Sequence, residues 1–105
     1  MRIVRPLLFA LAVFLSACCQ SFTETGTGFF APCETCPGSI NLVCTKNAES
    51  LAQQDATAKA RLKCTAPNVL RVGDFTLNGP AQCVRRGGNW GVEVTITQNF
   101  KCCDK

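Results

Sequence analysis

The chain has 105 residues, nine of them Cys and none of them His, with eleven basic and seven acidic side chains for a formal charge of +4. That length holds one domain, and the absence of His removes the Ser-His and Cys-His nucleophile pairs together with the commonest general base near neutral pH. Nine Cys in so short a chain mark a disulfide scaffold, which needs an oxidising compartment.

The N-terminus points the same way. Arg2 and Arg5 precede an unbroken apolar run from Leu7 to Leu15. Nine residues of helix rise only about 14 Å against a hydrocarbon core of about 30 Å, so the run reads as a cleaved signal and not as an anchor. Residues 1–19 are therefore expected to be a signal peptide, with cleavage after Cys18, Cys19 or Ser21. Leu15-Ser16-Ala17-Cys18 also matches a bacterial lipobox, in which Cys18 would be lipidated and tether the domain to a membrane; the soluble reading is preferred, and intact mass separates the two. Loss of Arg2 and Arg5 leaves nine basic and seven acidic residues, scattered except for Arg85-Arg86. Neither a nucleic-acid footprint nor a polybasic membrane patch is expected from them.

Residues 20–32 carry no apolar period and read as a flexible leader, followed by a domain over 33–105. Ile40, Leu42 and Cys44 share one face of a strand over 39–45. The segment 47–55 is left as loop or short helix. Ala56, Ala58, Ala60, Leu62 and Cys64 alternate with Thr57, Lys59, Arg61 and Lys63, which predicts a strand over 57–64, although the same stretch is rich in helix formers and Ala48, Leu51, Ala52 and Ala56 fall at helical spacing. A strand interrupted at Gly73 is expected over 69–77 and a short one over 81–85, with hairpin connections at Asn78-Gly79-Pro80 and Gly87-Gly88-Asn89. In the last segment Trp90, Val92, Val94, Ile96, Phe100 and Cys102 share one parity, broken only by Gln98, and predict a strand with one face on a core. The fold class expected is all-β, a small antiparallel sandwich or barrel of five or six short strands stapled by disulfides.

Seven Cys follow the expected signal. Cys33, Cys36, Cys44, Cys64, Cys83 and Cys102 are assigned to three bridges, among 15 connectivities. Cys103, one residue past the inward-facing Cys102, points out and is the surplus thiol, free or linking two chains in a dimer. Cys33-x-x-Cys36 is flanked by Pro32 and Pro37 in a patternless stretch and lacks a second spaced pair, so structural disulfides are preferred to redox or zinc chemistry, and no metal or other cofactor is expected. Trp90 belongs to the core by parity, and Arg85-Arg86 are the better candidates for an exposed contact.

Together, Cys33-Glu-Thr-Cys36-Pro37, the segment from Asp55 to Cys64 ending in Leu-Lys-Cys, Phe75-Thr-Leu-Asn78, and Cys83 followed by Gly87-Gly88-Asn89-Trp90-Gly91-Val92 resemble the six-cysteine extracellular domain of nematodes, over roughly residues 33 to 103. The third cysteine departs from that pattern, with Cys44 lying 20 positions upstream of Cys64. The resemblance implies a secreted domain with no established activity. If the family's first and third cysteines pair, it implies a Cys33–Cys44 bridge, with Cys36, Cys64, Cys83 and Cys102 supplying the other two. The function expected is a secreted, non-enzymatic binding or structural module acting on an extracellular protein or ligand. The alternative is a small effector such as a protease inhibitor or defence peptide, with Cys83 to Asn89 as the exposed loop.

Overall fold

The computed structural model describes residues 18–105. Residues 1–17 of the expected signal over 1–19 lie outside them. Four strands and one helix follow in the order β1 (Cys19–Phe30), α1 (Leu42–Lys63), β2 (Val69–Leu77), β3 (Gln82–Arg86) and β4 (Asn89–Cys103). All strand pairs are antiparallel, and β4 is the centre of the sheet: β1 pairs with it from Val92 to Cys103 on one side, while β2 and β3 lie end to end along the other.

The expected leader is a 12-residue strand, β1. Its alternation is hard to see because two of its inward positions are glycines. Gly26 and Gly28 are buried, and a Cβ on Gly28 would lie 2.1 Å from the carbonyl oxygen of Ala48, one on Gly26 2.1 Å from that of Ala52. The strand backbone therefore lies directly against the helix backbone.

The helix supplies the matching surface. The expected strands over 39–45 and 57–64 are instead taken up largely by α1, in which Cys44, Ala48, Ala52, Ala56 and Ala60 are buried. A step of four residues overshoots one turn by about 40°, so this row winds about the helix as it climbs, and a twisted sheet can follow it. The period of four wins over the period of two because the small side chains allow the close approach that Gly26 and Gly28 require. At the start of α1 the Asn41 side chain caps the helix, accepting a hydrogen bond from the Val43 N–H at 2.6 Å. Arg61 and Lys63 occupy its last turn, where the carbonyl ends favour cations.

From β4 the residues Val92, Val94, Ile96 and Phe100 complete the core under the helix, with Phe22 stacked on Phe100 at 5.6 Å between ring centroids. Trp90 packs partly buried against this cluster. The second layer over the sheet is thus a helix, not a second sheet.

Two connections differ in kind. Gly87 and Gly88 have φ of 59° and 83° between the paired Arg86 and Asn89, a two-residue turn with both central residues left-handed, as a tight hairpin demands. Asn78-Gly79-Pro80 is not a hairpin: it carries the chain from β2 to β3, two strands that pair with the same side of β4 and not with each other.

Among the described residues Gln98 is the one buried polar residue, 1% exposed. The register of β2 against β4 slips between Val72 and Phe75, and the Gln98 Nε2 donates to the Gly73 carbonyl there at 3.0 Å, while its Oε1 has no partner. Gln98→Leu removes one hydrogen bond and one orphaned acceptor together and is expected to change stability by less than about 1 kcal/mol. Gln98→Glu places a carboxylate against that carbonyl, so burial raises its pKa above the unfolded value and the charged form is destabilising. The variant should lose stability as pH rises through the ordinary carboxylate range and recover it on acidification, which urea titrations at two pH values will measure.

Candidate functional site

Eight cysteines form four bridges, Cys19–Cys103, Cys33–Cys44, Cys36–Cys83 and Cys64–Cys102. Cys33–Cys44 and Cys64–Cys102 hold the two ends of α1 to the chain before it and to β4. Cys36–Cys83 ties the β1–α1 connection to β3. The pairing Cys33–Cys44 is the one the six-cysteine resemblance implies.

The assignment of Cys103 as surplus thiol is overturned. Cys103 is buried and bridged to Cys19, its direct cross-strand neighbour, so it offers no thiol for a disulfide-linked dimer. Cys19 consequently belongs to the folded domain, at variance with the expected signal over 1–19. Cleavage after Cys19 or Ser21 would remove half of a bridge, which leaves cleavage ahead of Cys19 as the only kind compatible with this fold. The unpaired cysteine is Cys18, which is exposed. Sequence parity went astray here because it ranked Cys102 and Cys103 by facing alone. Once Gly28 is set opposite Val94, the antiparallel register carries Cys19 onto Cys103.

The helix covers one face of the sheet and leaves the other open. On that open face β1 presents Ser21, Thr23, Thr25 and Thr27, facing Lys101, Asn99, Thr97 and Thr95 of β4 in register. Thr27 and Thr95 share a hydrogen bond of 3.2 Å between hydroxyls, and the Thr97 hydroxyl donates to Asn78 Oδ1 at 2.8 Å. A trough at one end is lined by Ser21, Thr23, Arg71, Asn99 and Lys101 together with Phe22, Val72 and Phe100. The face is a row of hydroxyls ending in two cations, able to hydrogen-bond a polar or anionic ligand.

The free edge of β1 is closed by helix side chains. Asp55 Oδ2 accepts from the Thr27 N–H at 2.9 Å and Lys59 Nζ donates to the Thr25 carbonyl at 2.8 Å, satisfying groups that would otherwise invite another strand.

Cys83 to Asn89, the expected inhibitor loop, is mostly strand β3 closed by the Gly87-Gly88 turn. Arg85 and Arg86 are both exposed, and Arg86 also forms an ion pair with Glu93 and lies 5.4 Å from the centre of the Phe29 ring. Among the described residues no group of three or more His, Cys, Asp or Glu is placed to hold a metal ion, and no helix is long and apolar enough to cross a membrane.

No family model, no curated protein and no solved structure matches this chain. The sheet, its bridges and its two faces are therefore the basis for any reading of function.

Proposed function

We propose that the chain is exported and works outside the reducing compartments as a non-enzymatic binding or structural module, recognising an extracellular protein or ligand on the open face of its sheet. The observation that carries this reading is the bridge set: eight of nine cysteines are paired, and the bridges clamp both ends of the helix and the outer end of the sheet. Such pairing persists where thiols are not kept reduced. A small domain of this kind gains from disulfides what a short chain cannot gain from its core. The hydroxyl row suits a module that presents a rigid surface, because strands hold those side chains at fixed spacing.

Non-reducing peptide mapping of the exported protein tests the reading. It should return the four pairs, a mature chain that retains Cys19, and no free thiol other than Cys18. A mature protein recovered with its cysteines reduced would overturn it.

A further inference from the structure

Cys18 is the one cysteine the bridge network leaves over, and its position in the fold is specific. It immediately precedes β1, and its carbonyl accepts a hydrogen bond from the Asp104 N–H at 2.6 Å. The bridge of Cys19 to Cys103 confines removal of a signal to a point ahead of Cys19, and the residues there, Leu15-Ser16-Ala17-Cys18, form a lipobox directly after the apolar run. We propose that Cys18 is the attachment site of a diacylglyceryl group, and that this anchor holds the adjoining end of the sheet against an anionic membrane surface.

The charge distribution is an independent observation for the second half of that statement. Register places Ser21, Lys101 and Arg71 side by side, Val69 opposite Cys103, and Cys103 opposite Cys19. The Cys64–Cys102 bridge brings the last turn of α1, with Arg61 and Lys63, to the same end. With Lys105, this half of the molecule carries five basic residues against Glu24, Asp74 and Asp104. The opposite half carries Lys46, Arg85 and Arg86 against Glu34, Glu49 and Glu93, and Lys59 is cancelled by Asp55 on the helix between them. The whole positive excess of the described residues therefore sits at the Cys18 end.

At this end exposed apolar side chains lie on both sides of the sheet, Val69 with Arg71 and Lys101 on the open face and Leu62 with Arg61 and Lys63 on α1. Leu62 is 80% exposed, Val72 56% and Val69 46%. Cations interspersed with exposed aliphatic groups are the composition of a surface that lies on a bilayer, where basic residues meet anionic headgroups and apolar ones enter the interface. Two acyl chains supply the durable attachment that one would not, and the basic end orients the domain. With no residue between Cys18 and β1, the domain would sit directly on the surface.

The modification balances without a redox step. The Cys18 Sγ attacks the carbon of the diacylglyceryl moiety that bears the phosphoester in a phosphatidylglycerol-class lipid. The S–C bond forms, the C–O bond breaks, and glycerol phosphate leaves as the thiol proton passes to solvent. Water then hydrolyses the Ala17–Cys18 peptide bond, making Cys18 the N-terminus.

This inference rests on the export reading and is tested separately from it. The full chain is produced in a bacterium with lipoprotein-processing enzymes and fed an alkyne-tagged palmitate. The wild-type protein should take up the label, partition into detergent, and have the mass of a chain beginning at Cys18 plus a diacylglyceryl group. Cys18→Ser should lose the label and keep all four bridges. An exported wild-type protein with four bridges and no adduct on Cys18 would overturn the lipid assignment and leave export standing. A reduced product retained in the cytosol would overturn both. Amide exchange of the lipidated protein in vesicles then addresses the surface: segments 61–72 and 99–105 should be protected more in phosphatidylglycerol than in phosphatidylcholine vesicles, and equal protection would overturn the orientation.

Discussion

Replacing Gly28 with valine is expected to destabilise the protein by at least about 3 kcal/mol, the upper end of ordinary overpacking costs. Strand preference alone gives the opposite sign, since valine favours an extended backbone and glycine weakens one. Packing decides, because the atoms in the way cannot rotate aside: the added Cβ would meet the Ala48 carbonyl oxygen at 2.1 Å and the Ala52 nitrogen at 2.4 Å, both helix backbone. Relief requires moving α1 off β1 as a unit, which uncovers Ala48, Ala52 and Ala56 and loosens the contact with Val94 and Ile96. Gly26→Val meets the Ala52 carbonyl oxygen in the same way and should behave alike. Leu62→Ala, at a position 80% exposed, should change stability by no more than about 0.5 kcal/mol. Urea titrations of the three variants measure this, and a Gly28→Val protein as stable as wild type would show that the helix does not lie so close.

The same contact explains where sequence reasoning succeeded and where it did not. In β4 the inward residues are large, so Val92, Val94, Ile96 and Phe100 announce both the strand and its buried face, and each is buried. Gln98, which interrupts the pattern, also faces inward, because the irregularity in β2 offers it a carbonyl. Between β1 and α1 the code is written in small residues. Gly26 and Gly28 add nothing to an apolar alternation, and alanines at 52, 56, 58 and 60 fit a period of two nearly as well as a period of four. The large apolar residues of the helix mislead further, since Leu42, Val43 and Leu62 point to solvent. Helix propensity over residues 48–63 was the better guide, and the glycines of β1, at every second position, were the matching signal.

The open face was legible only once β1 existed as a strand. Thr23, Thr25 and Thr27 form a row because their neighbours face the helix, and they stand beside Thr95, Thr97 and Asn99 because the register is fixed at its far end by a bridge. Read as a leader, the same threonines are ordinary polar residues. The pairing of Cys19 and Cys103 thus makes both the hydroxyl face and the account of the ninth cysteine possible.

That bridge is also where the second large effect is expected. The double variant Cys19→Ser/Cys103→Ser should lose about 4 kcal/mol on the chain-entropy account, which in a domain of this size corresponds to a fall in Tm of roughly 15–30 °C. The two cysteines are 84 residues apart in sequence. Even with the other three bridges closed, the shortest covalent route between them, through Cys33–Cys44 and Cys64–Cys102, still spans roughly 35 residues, so the loop it closes is long in the remaining network. Removing Cys33–Cys44, with a separation of 11, should cost nearer 3 kcal/mol on the same account. Thermal unfolding of both double variants checks the order; an equal or larger loss for Cys33–Cys44 would mean that packing around Cys33, not chain entropy, dominates. The single variant Cys19→Ser carries a further consequence. Cys18 is the residue before Cys103's cross-strand partner, and a shift of one position turns a strand's side chains to the opposite face. Cys18 therefore cannot take Cys19's place without slipping β1 by one residue, which would drive Thr25 and Thr27 into the helix where Gly26 and Gly28 now fit. Thiol titration of unlipidated Cys19→Ser should accordingly find two free thiols, Cys18 and Cys103, with the Gly-to-Ala contact holding the register that the bridge no longer enforces.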